Sequence, residues 1–147
     1  MQNFLIASQN LFENSSTFNI LNGSKRKEYM IMILYRPVGT AELELIKQSN
    51  YKLFPPRLPE QPIFYPVLNQ KCAEEIAKNW NVKSTNDHKG YVTQFEIDDS
   101  YYAKFEVQTV GRNYHQELWI PAKELENFNS HIIGTIKVIQ EFSDIRI

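Results

Sequence analysis

Cysteine is almost missing from this chain of 147 residues: Cys72 stands alone. With no second thiol to pair with, a disulfide-stapled scaffold is excluded and a reducing compartment is expected. Long apolar runs are missing too. No segment approaches the ~18 residues of a membrane-spanning helix. No basic stretch leads into an apolar one near Met1, so a signal peptide is not expected. These absences predict a cytoplasmic protein with no membrane partner. Charge of one sign is lacking: 16 Lys and Arg against 17 Asp and Glu leave a net charge of −1. That is too balanced for a nucleic-acid or membrane-surface footprint. Glycine is sparse, and Gly39 and Gly111 stand alone, so no phosphate-cradling loop is present. His88, His115 and His131 lack ligand spacing and no cysteine pair exists, so no metal is expected. There is no Gly-x-Ser-x-Gly elbow, and one cysteine with a distant histidine does not make a thiol protease.

Aromatics are what the chain has in quantity: nine Phe, eight Tyr and two Trp. They favour strands and packed cores. The length suits one domain with a real core. Composition shifts near Lys25-Arg26-Lys27-Glu28-Tyr29-Met30. Residues 1–29 are rich in Asn and Ser and have no sustained period. Lys-Glu-Tyr-Met can be encoded as AAG-GAG-TAT-ATG, which resembles a ribosome-binding site followed by a start codon. Residues 1–29 therefore read either as a translated leader, with Met30 or Met32 the start, or as an N-terminal arm. Residues 30–147 read as a single domain.

Ile31-Met32-Ile33-Leu34-Tyr35 is a short apolar run ended by Arg36-Pro37, which predicts a buried strand. Thr40 is a candidate cap for a helix over 40–49. Pro55, Pro56, Pro59 and Pro62 bar a helix from the next stretch. Ile63-Phe64-Tyr65 is a second strand candidate. Asn69 can cap a helix over 69–80, where Ala73, Ile76, Ala77 and Trp80 follow the spacing of one buried face. Cys72 falls in that helix and reads as a buried thiol. Strands are expected over 91–97, 105–110, 117–120 and 132–142. Asp98-Asp99-Ser100 reads as a turn, and Pro121 begins a short helix through Leu125 and Phe128. The order predicts an α+β domain with two main helices. Its sheet should be mainly antiparallel, because short turns join the late strands, and split in two.

Three segments carry polar groups in places where chemistry is conceivable. Arg36 emerges at the end of a buried strand, and its planar fork suits a phosphate or carboxylate; a strand-end arginine in solvent or in a structural ion pair is the plainer reading. The proline-stiffened loop holds Arg57, Glu60, Gln61 and Tyr65, either as a pocket wall or as a structural crossover. In His115-Gln116-Glu117-Leu118-Trp119, alternate residues share a face. His115, Glu117 and Trp119 then point one way, into a site or into solvent.

Leu34-Tyr35-Arg36-Pro37-Val38-Gly39, Phe54-Pro55-Pro56-Arg57-Leu58-Pro59, Tyr65-Pro66-Val67-Leu68-Asn69 and Glu117-Leu118-Trp119-Ile120-Pro121-Ala122 together resemble a family of short bacterial proteins. Its label links it to ADP-ribosylation and crystallin-like proteins. The chain is too short and too rich in strands for the largely helical ADP-ribosyl glycohydrolases. Its segment order is similar to the split-sheet fold of ADP-ribosyltransferases. That resemblance implies an enzyme cleaving the nicotinamide–ribose bond of NAD, with NAD as substrate, no metal and a macromolecular acceptor. It implies Glu117 as the catalytic carboxylate. Arg36, Tyr35, Arg57 and Tyr65 would bind the dinucleotide, and His115 would help choose the acceptor. The Ser-Thr-Ser strand motif of the arginine-modifying group is absent, and His-x-Glu stands in place of Glu-x-Glu. The alternative is a non-catalytic module on the same fold that binds a nucleotide, ADP-ribose or a protein.

Overall fold

A computed structural model describes residues 15–22 and 25–144, with side chains from Met30 onward. In chain order its strands are β1 (Ser15–Asn22), β2 (Lys25–Val38), β3 (Ile63–Phe64), β4 (Lys89–Asp98), β5 (Val107–Thr109), β6 (Gln116–Leu118), β7 (Ile120–Pro121) and β8 (Ile132–Ser143). The helices are α1 (Thr40–Gln48), α2 (Gln70–Ile76), α3 (Val82–Ser84), α4 (Asp99–Tyr102) and α5 (Leu125–Ser130). The domain is thus mixed α and β, and among the described residues every strand pair is antiparallel. Among the described residues, no helix is long and apolar enough to cross a membrane.

The apolar run around Ile33 is the centre of β2, which extends well beyond it on both sides. β4 pairs along its second half, and β8 lies outside β4. On the other edge, β1 pairs with Lys25 through Met32. Val67 then takes up that edge. Tyr35 and Val67 exchange both backbone bonds, at 2.9 and 2.8 Å. Val67 is bridged in turn to Glu117 on β6. β6 pairs with β5, while β3 and β7 form a separate two-stranded ladder. The run from Glu117 to Ile120, expected as one strand, is therefore two. Pairing lapses at Trp119, and the halves serve different ladders.

Alternation along β2 feeds two cores, one on each face of the sheet. Met32, Leu34 and Val38 join a cluster built on Phe54, Phe64, Phe95, Tyr101 and Phe128. Its rings meet tilted or edge-on, with Phe54–Phe95 at 4.9 Å and Phe64–Phe128 at 5.5 Å. Each fully buried ring contributes on the order of 1.5–3 kcal/mol of transfer free energy. Tyr35 joins the second cluster, with Val67, Cys72, Ala73, Ala77 and Val92. Burial, then the nearby Glu117 and Glu75 carboxylates, pushes the Cys72 thiol up to about 11.

Both main helices form where the pattern places them, with two corrections. Thr40 is the first helical residue, not the cap; Gly39 holds that position, and the Thr40 hydroxyl donates to Asp87 instead. α2 starts as expected, with Asn69 accepting from Cys72 N–H at 2.8 Å. It then widens into a π-turn over Ala77–Asn81. A π-turn inserts one extra residue, so the buried face slips in register. Ala73 and Ala77 stay inside, Trp80 swings out to 68% exposure, and Val82 is buried. The expected turn at Asp98-Asp99-Ser100 is the start of α4, because the Asp98 carboxylate caps it by accepting from Tyr101 N–H at 3.0 Å. The proline loop is anchored at its entry by Asn129, whose amide exchanges bonds of 3.0 and 2.9 Å with the Phe54 backbone.

Candidate functional site

Beyond the Val67 bridge, β2 runs on toward Gly39 paired with β4 on its other edge. A cavity of about 500 Å3 opens beside it. Of the side chains singled out in the sequence, Arg36, Arg57, Gln61, Tyr65 and Glu117 line this cavity, with Trp119 just past β6. They come from β2, the proline loop and β6, and the Tyr35–Val67–Glu117 bridges set those segments side by side.

Arg36 is 8% exposed. Its Nε and Nη2 donate to the two carboxylate oxygens of Glu42 at 2.6 and 2.8 Å, a two-pronged pair. The guanidinium carbon lies 4.6 Å from the centre of the Phe64 ring, close enough for a cation–π contact. The Arg36 carbonyl accepts from the buried Thr93 hydroxyl at 2.8 Å, which fixes the backbone there. Arg57 donates through Nε to the Ile63 carbonyl at 3.0 Å. Its Nη1 stands 3.9 Å from Glu42 Oε1. Burial, and then the like charge of Arg36, lowers the Arg57 pKa from its usual value. Two guanidiniums thus share one carboxylate on this wall.

The other wall is aromatic and acidic. Glu117 Oε1 accepts from the indole N–H of Trp119 at 2.7 Å. Trp119 is 47% exposed and lines the cavity together with Trp80 and Tyr65. The chain has two tryptophans, so both border this space. A planar ring can stack on any of the three aromatics.

Tyr35 and His115 are not among the lining residues. Tyr35 packs into the second core, and its hydroxyl accepts from Gln94 Nε2 at 3.3 Å. His115 is tied on both ring nitrogens. Nδ1 accepts from Arg112 N–H at 3.0 Å, and Nε2 lies 2.9 Å from Glu75 Oε2. Accepting at Nδ1 fixes the proton on Nε2, so Nε2 donates to Glu75. The Tyr114 hydroxyl donates to the other Glu75 oxygen at 2.6 Å. A side chain at Gly111 would collide with the His115 ring, so glycine is needed there. His115 therefore locks the β5–β6 hairpin onto α2.

Glu42 and Trp80 were not singled out for the cavity by sequence reasoning, whereas Trp119 was placed on one strand face with Glu117 and does line it. Glu42 carried a signal: an acid in the first turn of the helix that follows the Arg36 strand. Trp80 carried the opposite signal, since its spacing placed it in the core. Among the described residues, no group of three or more His, Cys, Asp or Glu is placed to hold a metal. Comparison with protein-family models, with curated proteins and with solved structures finds no match.

Proposed function

We propose that the cavity binds NAD and that the domain acts as a mono-ADP-ribosyltransferase-like protein that cleaves the nicotinamide–ribose bond. The observation that carries this reading is the convergence of Arg36, Arg57, Tyr65 and Glu117 on one space of dinucleotide scale. Breaking the bond builds positive charge on the ribose. A fixed carboxylate that accepts a hydrogen bond from a ribose hydroxyl stabilises that charge, and Glu117 supplies it. The Trp119 indole holds one oxygen of that carboxylate and leaves the other for the ribose. Arg36 and Arg57 would take the pyrophosphate. Tyr65 and the indoles would stack on the nicotinamide and hold it for cleavage.

One observation favours a second reading, a module that binds NAD or ADP-ribose without turnover. His115, the residue expected to choose an acceptor, is occupied on both ring nitrogens and does not line the cavity. Nucleotide binding without an acceptor-selecting group describes a reader of the nucleotide.

Titration with NAD, followed through tryptophan fluorescence, tests the shared claim, because both tryptophans border the cavity. Saturable quenching is expected, and ADP-ribose should compete. Unchanged emission with no heat in calorimetry would leave both readings without a ligand. Nicotinamide release then separates enzyme from binder.

A further inference from the structure

Two cations face one anion in the wall that would take a phosphate. Arg36 is gripped by both oxygens of Glu42, and Arg57 reaches the same carboxylate at 3.9 Å. All three side chains line the cavity. The side chains of Arg36 and Arg57 are only 10% and 11% exposed, so water screens their mutual repulsion poorly. The cluster carries a net charge of +1. A guanidinium whose fork is filled by a carboxylate cannot also offer that fork to a phosphate. The carboxylate of Glu42 has the planar two-oxygen edge that a phosphate would present. It arises on α1, a different element from either arginine, so it can swing aside on its own side-chain torsions without moving either of them.

We propose that Glu42 is a resident stand-in anion, which an incoming phosphate displaces from Arg36 and Arg57. The site is then gated by exchange of one anion for another. The ligand's affinity is its phosphate contacts less those that Glu42 gives up. Empty, the cavity keeps its arginines ordered, with one of their two charges balanced by Glu42. Occupied, it holds phosphate on two guanidiniums, with Glu42 released toward solvent. The exchange concerns phosphate as such; only the identification of the natural ligand as NAD rests on the function proposed above.

Calorimetric titration with inorganic pyrophosphate at low salt tests the exchange without NAD. Glu42→Gln keeps the side chain's shape and an accepting oxygen but removes the charge. It should bind pyrophosphate about tenfold more tightly than wild type. Glu42→Asp, which retracts the carboxylate by one methylene, should fall between. Glu44→Gln removes the same charge from an exposed position on the same helix, where Glu44 pairs with Lys47. It should leave affinity at the wild-type value. Melting curves check that each variant is folded. If Glu42→Gln is folded and binds pyrophosphate no better than wild type, Glu42 orients Arg36 and is not a competitor. An equal gain in Glu44→Gln would assign the effect to overall charge and overturn the exchange equally. Parallel titration with NAD keeps the two ideas apart. Pyrophosphate binding that responds to Glu42, in a protein that does not bind NAD, removes the NAD reading and leaves the exchange standing.

Discussion

The indole N–H of Trp119 donates to Oε1 of Glu117 at 2.7 Å, across the point where β6 ends and β7 has not begun. Residues two apart share a face of an extended segment. The lapse in pairing at Trp119 keeps that relation while freeing the indole to lie along the cavity. Glu117 is thus steered by a residue two places away.

Trp119→Phe keeps a stacking ring and removes the donor. Nicotinamide release should slow about tenfold, the worth of one hydrogen bond to a charged group. The KM for NAD should change little, because the ring remains. A KM that rises while kcat holds would assign Trp119 to binding alone.

Glu75 joins Tyr114 and His115, and its pKa is lowered, first by the Tyr114 bond and then by the His115 bond. A depressed carboxylate stabilises the fold above the pKa it has when unfolded, and that contribution fades as pH falls through the folded value. Glu75→Gln should therefore melt below wild type at neutral pH. The gap should close in acid, below the ordinary glutamate value. Melting curves across pH read this directly; a gap that widens in acid would reverse the assignment.

Phe128 is fully buried and meets Phe64, Phe95, Tyr101 and Phe105. Phe128→Ala should cost about 3–5 kcal/mol in denaturant unfolding, from lost transfer and the cavity left behind. A loss under about 1 kcal/mol would mean that the core closes over the gap.

Gly90 lets β4 approach the π-turn. A Cβ there would lie 2.6 Å from the Ala77 carbonyl oxygen and 2.9 Å from the Asn81 Cβ. The nearer neighbour is backbone, so Gly90→Ala should destabilise by about 1–3 kcal/mol, as overpacking does. An unchanged unfolding midpoint would show that the turn yields.

What was legible in the sequence was periodic. The apolar run at Ile33, the Asn69 cap and the spacing of Ala73 and Ala77 each led to the element that formed. Trp80 was misplaced because a π-turn changes the period within a helix, and the residue packed against that turn, Gly90, lies on a distant strand. Arg36, Arg57, Tyr65 and Glu117 were named as candidates, but their meeting depends on Val67 bridging β2 to β6, a pairing of single residues that no local pattern announces. Tyr35 was named with Arg36, yet strand alternation sends neighbours to opposite faces. His115 was grouped with Glu117 by the same alternation. The tight turn at Gly111 and the Glu75 carboxylate hold it elsewhere.

Nicotinamide release from NAD by wild type and by Glu117→Gln, side by side, tests the proposed chemistry most directly. The amide keeps the shape of the side chain and removes the charge that opposes the developing positive ribose. The variant should lose about a hundredfold or more in rate, while its NAD titration by tryptophan fluorescence stays near wild type. Arg36→Ala should instead weaken that titration, because its contact exists before the bond breaks. Equal release by wild type and Glu117→Gln, or no release by wild type with any acceptor, would contradict the account.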